Sequence, residues 1–382
     1  MTSYVASHLK DMNRHIVFNL INELEVTSRA EISKRTGISA PTVLKIVSFL
    51  AEEGLVLELG EGESSLGRKP HMLALNRDKL YSAVFFIEGE LLKLGVVNIV
   101  GEISYQKTLR CEPNLGGIIN RICNGLVDGL FAEAGISLDK LMGIGIALPG
   151  MYDNKTKTVI TAPLVGISEP TCIREYIHNL EQKYNVLILV ENDVNCQCLG
   201  EFKVTKMPED SDLLMISVGT GLGASIILNG KLRHGVNNMC GEIGYMSFED
   251  DFIARLGSPG WLERKLCLRV LEKKFGISYD TDIAGLSEET FNAVLEYISL
   301  HLALCISNMT MILDCPNVRL SGVVVELLGE KLIERINDKI VDMCISEIKL
   351  QNQHSIDIGL IGISAILTEK HISRILMEKN KG

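Results

Sequence analysis

Three short polar turns carry the side chains with which this chain can do chemistry. They are Leu148-Pro149-Gly150-Met151-Tyr152-Asp153, Glu191-Asn192-Asp193-Val194-Asn195 and Gly219-Thr220-Gly221-Leu222-Gly223. Each follows or joins apolar runs that read as strands, and strand ends are where α/β proteins place their sites. Singly, each has an ordinary structural use. A glycine turn joins hairpin strands, and an aspartate such as Asp193 caps a helix.

The elements that must position these turns alternate between strand and helix. Residues 82–87 and 91–98 read as a strand hairpin, 116–134 as helical, and 142–148 as a buried strand ended by Pro149-Gly150. A helix over 174–184 leads to a strand at 186–190. Further strands follow at 212–218 and 224–228, then a long apolar helix over 288–314. The pattern predicts an α/β body.

Ahead of it, residues 28–50 read as a helix pair. Ser28 and Glu31 form a capping box, and Gly37 suits a helix C-terminus. Ser39 stands where a second helix needs its cap, with Pro41 in its first turn. Val43, Ile46, Val47 and Leu50 make one buried stripe, which leaves Thr42 and Lys45 facing outward. A helix-turn-helix presents its second helix to the DNA major groove in this way. The run at 16–21 supplies a preceding helix, and strands at 54–59 and 71–75 flank a wing whose basic tip is Gly67-Arg68-Lys69-Pro70. Residues 1–76 hold eight Lys/Arg against nine Asp/Glu, so the positive charge is local, at Arg29, Lys34, Arg35, Lys45, Arg68 and Lys69. A small helical domain that binds protein is the alternative reading of this head.

At 382 residues the chain is ample for two or three domains. Its net charge of −10 confines any nucleic-acid contact to a local patch. No run of 18 or more uninterrupted apolar residues suggests a membrane span, and no signal-peptide pattern opens the chain. The ten cysteines include no CxxC pair, so reduced, buried thiols in the cytoplasm are expected.

In this order and spacing the three turns resemble the ROK family of sugar kinases and sugar-responsive repressors. Gly143-Ile144-Gly145-Ile146-Ala147-Leu148-Pro149-Gly150, Asn229-Gly230-Lys231-Leu232-Arg233-His234-Gly235 and Cys240-Gly241-Glu242-Ile243-Gly244-Tyr245 carry the resemblance further. It implies an actin-like (ribonuclease H-like) ATPase fold of two lobes with a sugar cleft between them, usually as a homodimer. A winged head marks the repressor branch, and xylose repressors share this layout, so a pentose effector is expected.

Four departures separate this chain from the kinases it resembles. Their Asp-x-Gly-Gly-Thr phosphate loop reads Phe86-Ile87-Glu88-Gly89-Glu90 here; carboxylates repel phosphates and the metal-organising Asp is gone. The family's zinc ligands, one His and three Cys, correspond to Tyr245, Ala254, Leu256 and Trp261, which cannot hold zinc. A sugar-binding Asn is replaced by Leu164, and a late Gly-Gly reads Ser321-Gly322. The sugar side survives: Pro149, Gly150, Asn192, Asp193 and Glu242 match family positions, and Tyr245 offers a stacking face and a hydroxyl. In the kinases the counterpart of Asp193 is the general base.

The expected organisation is a winged helix-turn-helix over 1–76, lobe 1 over 77–195 completed by a C-terminal helix at 366–382, and lobe 2 over 196–365. The expected function is a cytoplasmic repressor of carbohydrate genes without cofactor or metal. It docks operator DNA as a homodimer through Arg29, Ser39, Pro41, Thr42, Lys45, Arg68 and Lys69. An ATP-dependent sugar kinase with a regulatory head is the alternative, and a regulator of non-sugar ligand a third.

Overall fold

The computed structural model describes residues 2–61, 71–251, 259–278, 280–355 and 357–378. The head comprises α1 (Thr2–Leu24), β1 (Thr27–Ser28), α2 (Arg29–Thr36), α3 (Ala40–Glu52), β2 (Val56–Glu61) and β3 (His71–Leu75). Its caps follow from residue type. Ser28 accepts a hydrogen bond from the Glu31 amide at 3.2 Å, and Gly37 closes α2 at φ 70°. Ser39 differs from expectation: it precedes α3, but its hydroxyl pairs with the Thr42 hydroxyl at 2.8 Å instead of capping the backbone. Val43, Ile46, Val47 and Leu50 bury the inner face of α3 against Val17, Phe18 and Ile21 of α1.

Lobe 1 is built on β4 (Tyr81–Glu88), β5 (Leu91–Asn98), β6 (Ile103–Arg110), α4 (Leu115–Arg121), α5 (Val127–Ala134) and β7 (Leu141–Leu148). A small sheet of β8 (Met151–Asp153), β9 (Thr158–Thr161) and β10 (Thr171–Cys172) follows, then α6 (Arg174–Tyr184) and β11 (Leu187–Asn192). The helix expected over 116–134 is broken between α4 and α5. Asn124 leaves helical geometry and Gly125 sits at φ 106°, a conformation glycine adopts without strain.

Lobe 2 begins with α7 (Asp193–Val204), β12 (Leu213–Val218), β13 (Leu222–Leu228) and β14 (Lys231–Leu232). It continues with α8 (Glu263–Leu266), α9 (Leu268–Phe275), α10 (Glu288–Leu313), β15 (Asn317–Ser321), α11 (Val323–Leu328), α12 (Glu330–Ile340) and β16 (Lys349–Asn352). Helix α10 is long and apolar enough to cross a membrane, yet half of its most apolar stretch is buried, with Val294, Ile298, Leu302 and Ile306 inside the lobe-2 core.

The two large sheets repeat one topology. In lobe 1 the order is β11-β7-β4-β5-β6 and in lobe 2 it is β16-β15-β12-β13-β14. Each pairs an antiparallel three-strand meander with two parallel strands. This duplicated sheet order is the actin-like, ribonuclease H-like arrangement, and both crossovers between its halves are helical.

Those crossovers carry the architecture. Helix α7 leaves β11 of lobe 1 and packs on β12 and β13 of lobe 2, whereas α13 (Ile358–Glu378) leaves lobe 2 and packs on β4, β5 and β7 of lobe 1. The helices meet backbone to backbone. A Cβ on Gly200 would lie 1.9 Å from the Ile358 carbonyl oxygen, and one on Gly362 would lie 1.8 Å from that of Cys196. Gly145 of β7 gives α13 similar access to the sheet, since a Cβ there would meet Ile363 at 2.6 Å. The helix starts at Ile358, earlier than the 366 read from sequence. Its far end enters the head, where Ile372 and Leu376 join the core of α1 and α3.

Gly362→Ala should destabilise the protein by about 2 kcal/mol or more, because overpacking costs roughly 1–3 kcal/mol. Gly129→Ala, on an exposed face of α5 with nothing within 4 Å, should stabilise by up to about 1 kcal/mol. Thermal melts check the pair, and similar shifts for both would contradict the close crossing.

Candidate functional site

The cleft opens where β7, β11 and α7 of one side face β13 and the 233–242 loop of the other. It is lined by Gly150, Tyr152, Glu191, Asn192 and Asn195 on one wall, and by Gly223, His234, Asn238, Cys240, Gly241 and Glu242 on the other. Gly150 holds φ 95°, and a Cβ there would stand 2.2 Å from the Thr161 carbonyl oxygen. Gly241 is equally constrained, with Ala224 O 1.9 Å from a built Cβ. Both walls of the cleft are therefore bare backbone at these points.

Of the residues expected to hold a ligand, Gly150, Asn192 and Glu242 line this cavity; Pro149, Asp193 and Tyr245 do not. Pro149 is buried beneath the turn. Asn192 has structural work as well: it caps α7 by accepting from the Asn195 amide at 3.0 Å, and its Nδ2 donates to Gly150 O at 3.0 Å. Asp193 accepts from the Val194 amide at 2.9 Å. Tyr245 ends the 3₁₀ turn Ile243–Tyr245 with 37% of its surface exposed.

Tyr152, Glu191 and His234, which stand in the sequence motifs without an expected role, also line the cavity. Glu191 Oε1 accepts from the Asn192 amide at 2.9 Å and from Asn195 Nδ2 at 3.0 Å. Its Oε2 lies 2.8 Å from His234 Nε2, so one polar contact bridges the two walls. Tyr152 is 8% exposed and its hydroxyl has no partner among the described residues.

The floor of the cleft is acidic. Burial, with Glu88 and Glu242 nearby, pushes the Asp193 carboxyl up to about 7. Burial and Glu263 push Glu242 to about 7 as well. Glu263 is raised by burial, and Glu326 by burial and then Glu88. Among the described residues, the cations felt by this group are Arg269, which acts on Glu263, and Lys93, which acts on Glu326 but is committed to Glu88 at 2.9 Å. Phe86 has become structural, 3% exposed, and its ring fills the space that a side chain at Gly359 of α13 would occupy. Leu164 faces across the cleft, 3.8 Å from a Cβ built on Gly221. These groups do not fit a nucleotide triphosphate and its metal.

Nor do the residues at the family's zinc positions fit a metal. Trp261 is 3% exposed in the lobe-2 core, edge-on to Phe248 at 5.7 Å, and its indole N–H donates to Asp251. Ala254 and Leu256 lie outside the described residues.

In the head, the outer face of α3 presents Pro41, Leu44, Lys45 and Ser48, with Thr42 half-buried. Arg29, expected among the DNA contacts, has its guanidinium paired with Glu58 of β2. Arg68 and Lys69 lie outside the described residues. Leu44, 50% exposed on the reading face, escaped the sequence reading, which sought polar groups.

The raised Asp193 has a pH consequence. Unfolded, it ionises near 3.8; folded, it keeps its proton to about 7. The folded state thus binds the extra proton in between, and this contribution to stability falls as pH rises from about 4 to about 7. Melting temperatures of Asp193→Asn minus wild type should therefore increase across that window. A pH-independent difference would contradict the burial of this carboxyl.

A model described as the ROK family matches residues 89–370, and one described as winged helix-turn-helix DNA-binding matches residues 16–56. The xylose repressor of Bacillus subtilis (strain 168) is 27% identical over 329 residues, 83% of this chain and 84% of that protein. The xylose repressor of Caldicellulosiruptor bescii is 30% identical over 267 residues, 69% of this chain and 65% of that protein. A crystal structure of a ROK family transcriptional regulator, homologue of the E. coli MLC protein, superposes with TM-score 0.80 at 18% identity, covering 97% of this chain and 99% of that one. That likeness extends the shared fold across head and body together. The chain belongs to the ROK family, with a winged helix-turn-helix head joined to a two-lobed sugar-kinase-like body.

Proposed function

We propose that this chain is a sugar-responsive transcriptional repressor of carbohydrate genes, acting in the cytoplasm. The observation that carries this reading is the physical continuity of cleft and head. Helix α7 starts at Asp193 beside the cleft, crosses α13 at Gly200 and Gly362, and α13 ends inside the head core. Arg14 of α1 donates to the Leu376 carbonyl of α13 and lies 3.9 Å over the Phe49 ring of α3. A sugar that draws the walls together moves α7 against α13, and α13 carries the reading helix. The xylose repressors among its relatives support repression as the output and a pentose as effector.

The effector binds through Gly150, Asn192 and Glu242 on the cavity wall, with Asp193 and Tyr245 at its margin. Operator DNA meets α3 through Ser39, Pro41, Thr42 and Lys45, with Arg68 and Lys69 on the wing. Two copies pair through the outer residues of α10, where Leu300, Met311 and Ile312 are exposed, and a palindromic operator accepts the two heads. The acidic cleft floor and Phe86 favour a regulator without kinase turnover.

Thermal shift against pentoses and hexoses, each with and without Mg-ATP, tests the ligand side. One neutral sugar should raise the melting temperature, with ATP adding nothing. Sugar-dependent ADP release that Asp193→Asn abolishes would overturn the regulator reading in favour of a kinase. On the DNA side, Lys45→Ala should weaken binding to a duplex that the protein selects from a random pool. If Lys45 contacts phosphate, the salt slope falls by about 1; unchanged affinity and slope would remove this docking.

A further inference from the structure

The cleft contains hydroxyl-recognising groups outside the positions that match the family's sugar contacts. Tyr152 stands on β8, after the Pro149-Gly150 turn; it lines the cavity, is more than nine-tenths buried, and its hydroxyl has no partner among the described residues. A buried hydroxyl without a partner costs free energy. A ligand hydroxyl in the cavity can supply such a partner. Burial pushes its acidity far down, so it remains an O–H donor and acceptor at any physiological pH.

Beside it, Glu191 and His234 reach each other from opposite walls at 2.8 Å. Burial works against the Glu191 charge, but the His234 bond, with Asn195 and the Asn192 amide, holds its carboxyl below the ordinary range. Glu191 in turn raises the His234 imidazole above its own. Each partner thus favours the charged form of the other. Nearly half of the His234 side chain is exposed.

We propose that Tyr152, Glu191 and His234 form a subsite that binds adjacent hydroxyls of an uncharged aldose and decides which aldose the cleft accepts. This rests on the reading of the cleft as a sugar site. Paired groups that offset each other suit an uncharged polyol, and the buried Asp193 and Glu242 carboxyls behind them offer an anionic sugar no countercharge. The Tyr152 hydroxyl has one donor and two acceptor sites free for a ligand hydroxyl. Because Glu191 and His234 belong to different walls, a hydroxyl bound to both is recognised best at one separation of the lobes. Selectivity and closure then come from the same contacts.

The test uses full-length protein, calorimetric titration with D-xylose, D-glucose and their epimers, and a deoxy series of the sugar that binds. Tyr152→Phe removes one oxygen and leaves the ring, and without sugar its melting temperature should equal or exceed that of wild type. Affinity for the accepted sugar should fall at least about fivefold, as expected for losing one hydrogen bond. One deoxy analogue should bind wild type and Tyr152→Phe equally, identifying the hydroxyl that Tyr152 holds; a merely structural tyrosine would show no such non-additivity. His234→Gln should narrow the affinity ratio between the accepted sugar and an epimer. Sugar binding by wild type with both variants unchanged in affinity and selectivity would overturn this subsite alone. Silence of wild type across the panel would overturn the sugar reading and this inference together.

Discussion

The structure depends on one contact, the crossing of α7 and α13 at Gly200 and Gly362. Side chains normally hold helix axes about 8–10 Å apart. Here each glycine lies against the partner's backbone, so a methyl group on either has no room. Each helix springs from one lobe and lies on the sheet of the other, which makes the crossing the point through which relative motion of the lobes must pass. Interiors packed this closely move between discrete arrangements more readily than they deform. Around the crossing the fit is consistent: Gly145 admits Ile363 to the lobe-1 sheet, Phe86 fills the space above Gly359, and Ser82 bonds to Ser364 at 2.7 Å within the buried layer.

This geometry gives the altered phosphate loop a second meaning. At Phe86 an aromatic ring supports the first turn of α13, where an ionised Asp would be buried beneath a helix at a high desolvation cost. Glu88 has moved charge of the opposite sign to where a phosphate would need cations, and its proximity is felt at both Asp193 and Glu326. The same short segment thus brings a carboxylate near the cleft and packs an aromatic ring under the helix that reaches the head. Arg14 then joins the end of α13 to α3 through the Leu376 carbonyl and the Phe49 ring, and Lys206 after α7 pairs with Glu25 at the end of α1 at 3.2 Å.

Much of this was legible in the chain because it follows from local rules. Ser28, Glu31 and Gly37 delimit α2 through backbone bonds made within four residues. The stripe from Val43 to Leu50 fixes which side of α3 faces out, and the strand pattern around Leu148, Asn192 and Val218 places the three turns at sheet ends. What could not be read involves partners distant in sequence. Arg29 looked free to meet DNA until Glu58 was brought beside it. Asn192 read as a ligand contact, and its amide also ties Gly150 to the start of α7. Glu191 and His234 are 43 residues apart, so neither announces the other. The unpartnered Tyr152 hydroxyl becomes visible when β8 folds over the cavity.

The central claim is that cleft and head share one free energy through α7 and α13. The most direct measurement is the dissociation constant of the effector sugar for full-length protein, taken free and on a duplex the protein has selected. The account predicts that DNA changes the sugar's Kd by the same factor by which sugar changes the duplex's Kd, as linkage between two coupled sites requires. A sugar Kd identical on and off DNA would contradict it.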